Sequence, residues 1–221
     1  MVTFKILAAL LDYPTEKTMA DLPEIQVLLS AEGRLSADRM AGLDTFVSAM
    51  AGADLLDWQA AWVEQFDRTR SLSLNLFEHV HGDSRDRGQA MVDLQDMYRG
   101  RGLELGVEEL PDYLPIFLEF LSIESEAEAR SLLGEAAHVI AALAKRLEDR
   151  NSAYAPVMAA VAELAGAPLG GTRVPVSTPD TDQDMDEAWA EDPVDFGGAA
   201  VPPPCGGMPA TSAALKAHQG A

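Results

Sequence analysis

Cysteine and long apolar runs are almost missing from this chain. Cys205 is the single cysteine, so no intrachain disulfide can form and a reducing compartment is the simpler expectation. No stretch approaches the roughly 18 uninterrupted apolar residues that a membrane span requires. The first residues carry an embedded lysine and no small-residue cleavage pattern of a signal peptide. We therefore expect a cytoplasmic protein with no membrane insertion.

Basic and aromatic residues are also scarce. Lysine and arginine number 16 against 36 aspartates and glutamates, which gives a formal net charge of −20. Such a surface repels phosphate backbones and anionic headgroups, so nucleic acid and membrane surfaces are poor partners. Aromatics make up 6% and hydrophobic residues 48%, and the dominance of alanine, leucine and methionine favours helices. The acidity suits a basic partner segment, although it also serves solubility.

Familiar catalytic patterns are absent from the sequence. It has no nucleophile elbow, no P-loop and no dinucleotide-binding glycine pattern. The Gly100-Arg101-Gly102 segment lacks the strand that a phosphate loop follows, and Cys205 is not placed for catalysis. We therefore expect a protein that is not an enzyme and holds no cofactor.

Helical periodicity runs through residues 1–165, with no convincing strand alternation. The first helix is predicted to end at Tyr13-Pro14, because a residue before proline disfavours the helical region. Pro23 is predicted to open the second helix, and a capping box at Ser125 to open one long helix that continues to Leu147. The sequence thus predicts an all-α fold, a single compact helical-bundle domain over residues 1–165.

Residues 166–221 differ in composition from the rest of the chain. Proline, glycine, threonine and aspartate dominate there, which predicts a mostly disordered acidic tail. Trp189 and Phe196 stand within an acidic island at residues 186–196. The island is either a docking segment or a chance pair of aromatics, and the sequence favours neither.

The segment FEHVHGD at residues 77–83 is the one cluster that suggests a metal. A His-x-His pair beside carboxylates can bind zinc, although helical positions two apart point to different sides. A small metal-dependent hydrolase would use His79, His81, Asp83 and Asp86. Alternatively, the histidines bind helix-end carbonyls or pack at the edge of a groove.

The segment EELPDYLP at residues 108–115 is the second unusual feature. Two prolines bracket a tyrosine, with carboxylates on both sides, directly before an apolar helix. As structure alone, it predicts a rigid turn and a proline-led helix start. As a site, it predicts an acidic rim over an apolar groove, which suits a basic amphipathic helix.

Together these motifs resemble one family, the delta-subunit assembly chaperones of respiratory nitrate reductase, within the redox-enzyme maturation proteins. The resemblance is carried by FDRT at 66–69, LFEHVHGDSRDRGQAM at 76–91, ELPDYLP at 109–115 and LEFL at 118–121. The tail island around Trp189 also looks like the family's C-terminal pattern.

The resemblance implies an all-helical fold and a client, the catalytic alpha subunit of nitrate reductase. Family members bind the client's N-terminal segment and keep the apoenzyme competent for molybdenum cofactor insertion. They also prevent premature docking on the membrane subunit and are absent from the finished enzyme. The oligomeric state stays open between a monomer and a homodimer.

On this basis we predict a client-binding groove with an acidic rim. Its candidate groove residues are Phe77, His81, Leu110, Tyr113 and Phe117, and its rim candidates are Glu109, Asp112 and Glu119. Arg85 and Arg87 are predicted to brace the rim or contact the client's folded part. The alternatives are core packing for the aromatics, Phe117 above all, and ion pairs with nearby carboxylates for the arginines. The Trp189 segment is predicted to cover the empty groove.

Three rival interpretations remain at the level of sequence. The first is a chaperone for another molybdoenzyme, such as a dimethyl sulfoxide or trimethylamine oxide reductase. The second is the metal-dependent hydrolase, which would bind stoichiometric metal. The third is a helical scaffold without client selectivity, which would bind unrelated basic helices equally well.

Overall fold

The computed structural model describes residues 1–81, 85–106 and 109–167 of the chain, without the side chain of Arg85. Its α-helices, in chain order, are α1 Val2–Leu11, α2 Glu16–Glu32, α3 Ala37–Ala51, α4 Leu55–Trp62, α5 Leu76–His81, α6 Arg85–Gly100, α7 Leu114–Ile123, α8 Glu126–Glu135, α9 Ala137–Asp149 and α10 Ala155–Leu164. A π-helical turn spans Val63–Asp67 and a 3-10 turn spans Arg70–Leu72. No strand forms within these ranges, and the predicted all-α fold is confirmed.

The most apolar helices, α1 and α7, pack against each other in the middle of the fold. Leu7 and Leu11 of α1 and Leu118 and Leu121 of α7 are fully buried. Helix α1 also contacts α2 and α10. Burial on several sides explains why both helices carry few charges, because charged side chains are rarely accommodated inside a core.

An aromatic cluster joins α3, α4 and the π-helical turn to the start of α10. The ring of Tyr154 lies 5.2 Å from Phe46, 5.6 Å from Trp58 and 5.0 Å from Phe66, measured between centroids. Such tilted and edge-on contacts add stabilisation beyond the area they bury. Four aromatic side chains thus pack together where four elements meet.

Several predicted helix ends are found where the sequence placed them. Helix α1 stops at Leu11, three residues before Pro14. The hydroxyl of Ser125 accepts a hydrogen bond from the backbone N–H of Glu128 at 3.3 Å and starts α8. Both ends follow local rules of proline and capping chemistry, which act without help from distant residues.

The predicted start of the second helix at Pro23 is wrong. Helix α2 begins at Glu16, because the hydroxyl of Thr15 accepts a hydrogen bond from the N–H of Thr18 at 3.1 Å and caps it. Pro23 therefore lies inside the helix, where proline costs about 3 kcal/mol. Burial of Leu22 and Ile25 on either side of the proline offsets that cost.

The single long helix predicted from Ser125 to Leu147 is also wrong. Ala136 has φ −91° and ψ 2°, and it divides the segment into α8 and α9. Its N–H binds the carbonyl of Leu133 at 3.1 Å, the tighter spacing seen at helix ends. Gly134 favours the break, because glycine weakens a helix.

The described part of the C-terminal segment ends at Ala167. The rest of the predicted tail, with the island at 186–196 and its proposed cover over the groove, lies outside the described residues. Within the part of the chain that the structure describes, no helix has both the length and the apolar character needed to cross a membrane.

Candidate functional site

A groove of about 570 Å³ opens between α1, the start of α2 and the segment that leads into α7. Its lining combines apolar and aromatic residues with polar and charged ones. The apolar and aromatic lining residues are Ala8, Ala9, Tyr13, Leu110, Tyr113, Pro115 and Ile116, and the charged ones are Asp12, Lys17, Glu109 and Glu119.

One wall of the groove is the C-terminal end of α1. Pro14 ends the helix, so Asp12 has extended backbone with φ −70° and ψ 167° and leads the chain out of the helix. The side chain of Tyr13 is 41% exposed, and its ring packs edge-on against Trp62 at 5.4 Å. This local break thus presents an aromatic side chain to the groove.

The opposite wall is the turn at residues 110–113. The N–H of Tyr113 binds the carbonyl of Leu110 at 3.1 Å and closes the turn. Two further backbone bonds tie it to the segment before α5, from Leu114 to Leu74 at 2.9 Å and from Leu76 to the Asp112 carbonyl at 3.0 Å. These bonds leave little freedom in the turn.

A side-chain hydrogen bond connects the two walls. The hydroxyl of Tyr113 donates to Oδ1 of Asp12 at 3.0 Å, across 101 residues of sequence. Burial, together with the negative charge of Asp12, raises the pKa of Tyr113. The tyrosine therefore keeps its proton and remains a donor to the carboxylate.

The charges that line the groove are mainly negative and unneutralised. Among the described residues, Asp12, Glu109 and Glu119 form no ion pair, and Lys17 pairs with Asp21 at 2.8 Å, which offsets its charge. Glu109 is held by a different contact, because its Oε2 accepts from the N–H of Gly106 at 2.7 Å. The groove therefore favours a cationic occupant.

Four of the predicted site residues meet in this groove: Glu109, Leu110, Tyr113 and Glu119. Phe77 and His81 lie elsewhere, half-buried on α5, with their rings 5.6 Å apart. Phe117 is 6% exposed and belongs to the core, as its alternative interpretation held.

Asp112 was predicted on the exposed rim, and the structure corrects this placement. Asp112 is 0% exposed, and its Oδ2 accepts a hydrogen bond at 3.0 Å from the N–H of Phe77, in the first turn of α5. Burial raises the pKa of this carboxyl, although the Phe77 N–H and the charge of Arg87 act to lower it. Asp112 therefore positions the turn and caps α5.

Arg87 does not line the groove. Nη2 of Arg87 donates to Oε1 of Glu78 at 3.2 Å and lies 4.0 Å from Oδ2 of Asp112. Arg87 thus pairs with a nearby glutamate, which was the alternative interpretation. The side chain of Arg85 lies outside the described residues.

The histidines of α5 have structural surroundings. Nε2–H of His79 donates to the carbonyl of Ser73 at 2.8 Å, and burial lowers the pKa of His79. No group of three or more metal-ligand side chains occurs among the described residues, while Asp83 lies outside them. The carbonyl-binding interpretation is therefore confirmed for His79.

Asp12, Tyr13 and Ile116 line the groove but were missing from the predicted site. A sequence signal for the first two existed, because Asp-Tyr-Pro follows the apolar α1 directly. Charged and aromatic residues just beyond a buried helix are exposed candidates for binding. The hydrogen bond of Asp12 with Tyr113, 101 positions away, had no local signal.

The described geometry defines a class of protein: an all-helical protein with an open groove lined by apolar and acidic residues. Comparison with known proteins defines the family. The family model described as nitrate reductase delta subunit matches residues 32–160, and the chain belongs to this family. The resemblance drawn from its motifs is confirmed.

Named relatives match over most of the chain. The nitrate reductase molybdenum cofactor assembly chaperone NarJ of Escherichia coli K12 is 38% identical over 201 residues, covering 89% of this chain and 85% of that protein. The probable chaperone NarW of the same organism is also 38% identical, over 89% and 84%. The probable NarJ of Bacillus subtilis is 31% identical, over 71% and 84%. These names describe assembly chaperones, which confirms the prediction of a non-enzyme class.

Proposed function

We propose that this chain is an assembly chaperone of respiratory nitrate reductase. In this proposal it binds the N-terminal segment of the apo catalytic alpha subunit and keeps that subunit open for molybdenum cofactor insertion. The alpha subunit docks at the membrane only afterwards, and the chaperone is absent from the finished enzyme. Family membership and the names of the relatives support the assignment to nitrate reductase over another molybdoenzyme.

The groove between α1 and the 110–113 turn is the proposed client site. Its volume of about 570 Å³ is that of a pocket for a few side chains, too small for a folded domain. Leu110 is 43% exposed and Tyr13 is 41% exposed, so each offers apolar surface that a client would cover. An amphipathic helix that lays its apolar face into the groove fits this arrangement.

Charge sets the orientation of the proposed client segment. The carboxylates of Asp12, Glu109 and Glu119 lack cationic partners among the described residues. Basic side chains on the polar face of the client helix would neutralise them and speed the encounter between the two proteins. This unneutralised rim over exposed apolar side chains is the observation that carries the client-site proposal.

Calorimetric titration with a peptide from the N-terminus of the alpha subunit tests the proposal. We expect saturable binding by the wild type, and weakening by about tenfold in Leu110→Ser and in Glu119→Lys, since each removes one anchor or reverses one rim charge. Glu135→Lys is the matched control, because Glu135 is exposed on α8 and does not line the groove.

Folded wild-type protein that binds no peptide would refute the client assignment. Equal weakening by Glu135→Lys and Glu119→Lys would refute the location of the site and leave only an effect of net charge. An unrelated basic helix that binds as tightly as the alpha-subunit peptide would favour the unselective scaffold.

The cytoplasm is the proposed location of this activity, in agreement with the single cysteine of the chain. A client must be met before it docks at a membrane, which places its chaperone in the compartment where the client is made. Fractionation of cells that produce the tagged chain checks this location.

A further inference from the structure

We propose that Asp12 is the cation anchor of the groove. The hydroxyl of Tyr113 is its placeholder, meaning the group that donates a hydrogen bond to the Asp12 carboxylate while no cation is bound. A lysine or arginine side chain of the bound segment then pairs with the Asp12 carboxylate, and it does not need the Tyr113 hydroxyl to remain there. The identity of that segment rests on the proposed function, whereas the cation site itself rests on the geometry of the groove.

The Asp12 carboxylate is held in place with one oxygen open. Oδ1 accepts two hydrogen bonds, from the Tyr113 hydroxyl at 3.0 Å and from the N–H of Tyr13 at 2.8 Å. Oδ2 accepts none from the described residues, and the residue is exposed. A cation can therefore approach Oδ2 without first breaking an ion pair.

The end of α1 adds to the negative potential at this point. Asp12 is the residue that follows the last turn of the ten-residue helix α1. The C-terminus of a helix carries a partial negative charge, which favours cations nearby. The helix and the carboxylate therefore act in the same direction, and no described cation neutralises Asp12.

Aromatic rings complete a site for a long cationic side chain. Tyr13 follows Asp12 directly, Tyr113 reaches it from the opposite wall, and both rings line the groove. Lysine and arginine bury their alkyl stems on apolar surface and can place their charge beside a ring. A carboxylate flanked by two tyrosines thus recognises a cation on an apolar stem better than a small ion.

Asp12 is held by more hydrogen bonds than the other two carboxylates of the groove. Glu109 uses its Oε2 for the N–H of Gly106 at 2.7 Å. Glu119 lies on the exposed face of α7, and no described residue holds its carboxylate in place. Because Asp12 is already ordered by two donors, binding there costs less side-chain entropy. Asp12 is therefore the specificity-determining charge, and the glutamates supply general attraction.

Two conservative variants separate the effect of the Asp12 charge from the effect of the Tyr113 hydroxyl. Asp12→Asn keeps an oxygen that can accept from Tyr113 and Tyr13 but removes the charge. Tyr113→Phe keeps the ring in the groove but removes the hydroxyl. Asp44→Asn is the matched control, because Asp44 is exposed on α3 and does not line the groove. Urea midpoints verify that each variant is folded.

The closing experiment titrates three peptides into these proteins at low and high salt. The peptides are the alpha-subunit N-terminal segment, a designed amphipathic helix with one arginine on its polar face, and the same helix with glutamine in place of that arginine. We expect Asp12→Asn to weaken both cationic peptides about fivefold at low salt and to reduce their salt dependence. The glutamine peptide and Asp44→Asn should show no such change, and Tyr113→Phe should weaken binding less than Asp12→Asn does, because the N–H of Tyr13 still holds the carboxylate.

The outcomes distinguish this inference from the proposed function. If the alpha-subunit peptide binds and Asp12→Asn has no effect, or if Tyr113→Phe weakens binding as much as Asp12→Asn, the anchor is refuted and the client assignment stands. If only the designed arginine helix binds, in an Asp12-dependent way, the anchor stands and the client assignment fails. Folded wild type that binds neither cationic peptide overturns both.

Discussion

Glu32, the last residue of α2, holds the N-terminal end of α1, and its loss is expected to destabilise the fold. Oε2 accepts from the N–H and from the hydroxyl of Thr3, both at 2.6 Å, and Oε1 accepts from the N–H of Val2 at 3.2 Å. Nε of Arg34 lies 3.1 Å from Oε1. One side chain thus serves two of the unpaired N–H groups at the start of α1, as an N-cap does.

The size of the effect follows from the pKa of Glu32. Partial burial acts to raise this pKa, but hydrogen bonds from Thr3, Arg34 and Val2 outweigh it and lower the pKa from 4.5 to about 2. The full shift corresponds to about 3 kcal/mol. Screening by solvent reduces this to about 1–2 kcal/mol, because the carboxylate is not fully buried.

Urea unfolding of Glu32→Gln checks this value. The folded-state pKa is lowered, so the stabilisation is present above the unfolded pKa of 4.5 and is lost as pH falls towards about 2. We expect the variant to be less stable by about 1–2 kcal/mol near neutral pH, with a difference that shrinks below pH 4.5. Glu24→Gln, an exposed change on the same helix, should leave stability unaltered. A Glu32→Gln protein as stable as the wild type at neutral pH would refute the reasoning.

Four further substitutions test local features. Gly33 ends α2 with φ 61°, so Gly33→Ala should lower stability by about 1 kcal/mol. Gly88 lies in α6 with open space around it, so Gly88→Ala should raise stability. Thermal denaturation that ranks the two variants the other way would contradict this. The hydroxyl of Tyr98 donates to the carbonyl of Pro111 at 2.7 Å in a buried site. Tyr98→Phe should therefore lower the free energy of unfolding in urea by about 1–3 kcal/mol. An unchanged free energy would mean that the bond contributes nothing. Thr15→Ala removes the cap of α2 and should cost about 1 kcal/mol by the same assay, unless the helix starts elsewhere.

Helix ends that depend on local chemistry could be predicted from the sequence. Pro14 ends α1 and Ser125 starts α8 through rules that involve neighbouring residues only. The position of Pro23 inside α2 depends on burial of Leu22 and Ile25 against other helices. Tertiary packing offsets the local cost of the proline there, whereas the earlier start of α2 had a local signal in Thr15, whose hydroxyl caps the helix.

The candidate site was predicted in part for the same reason. The two prolines around Tyr113 indicated a rigid turn before an apolar helix, and the groove is found there. Asp112 was expected at the surface because aspartate is seldom buried. Its burial requires the N–H of Phe77, which a different segment supplies. Likewise, Asp12 enters the site only when the fold brings α1 to the turn.

Molybdenum content of the alpha subunit is the measurement that tests the central claim most directly. The alpha subunit would be produced with wild-type chain, with no chain, and with the paired variants Glu119→Lys and Glu135→Lys, then purified and analysed for molybdenum per polypeptide. The account predicts near-complete loading with wild type and Glu135→Lys, and marked loss with Glu119→Lys and without the chain. Equal loading in all four samples would contradict the proposed role in cofactor insertion.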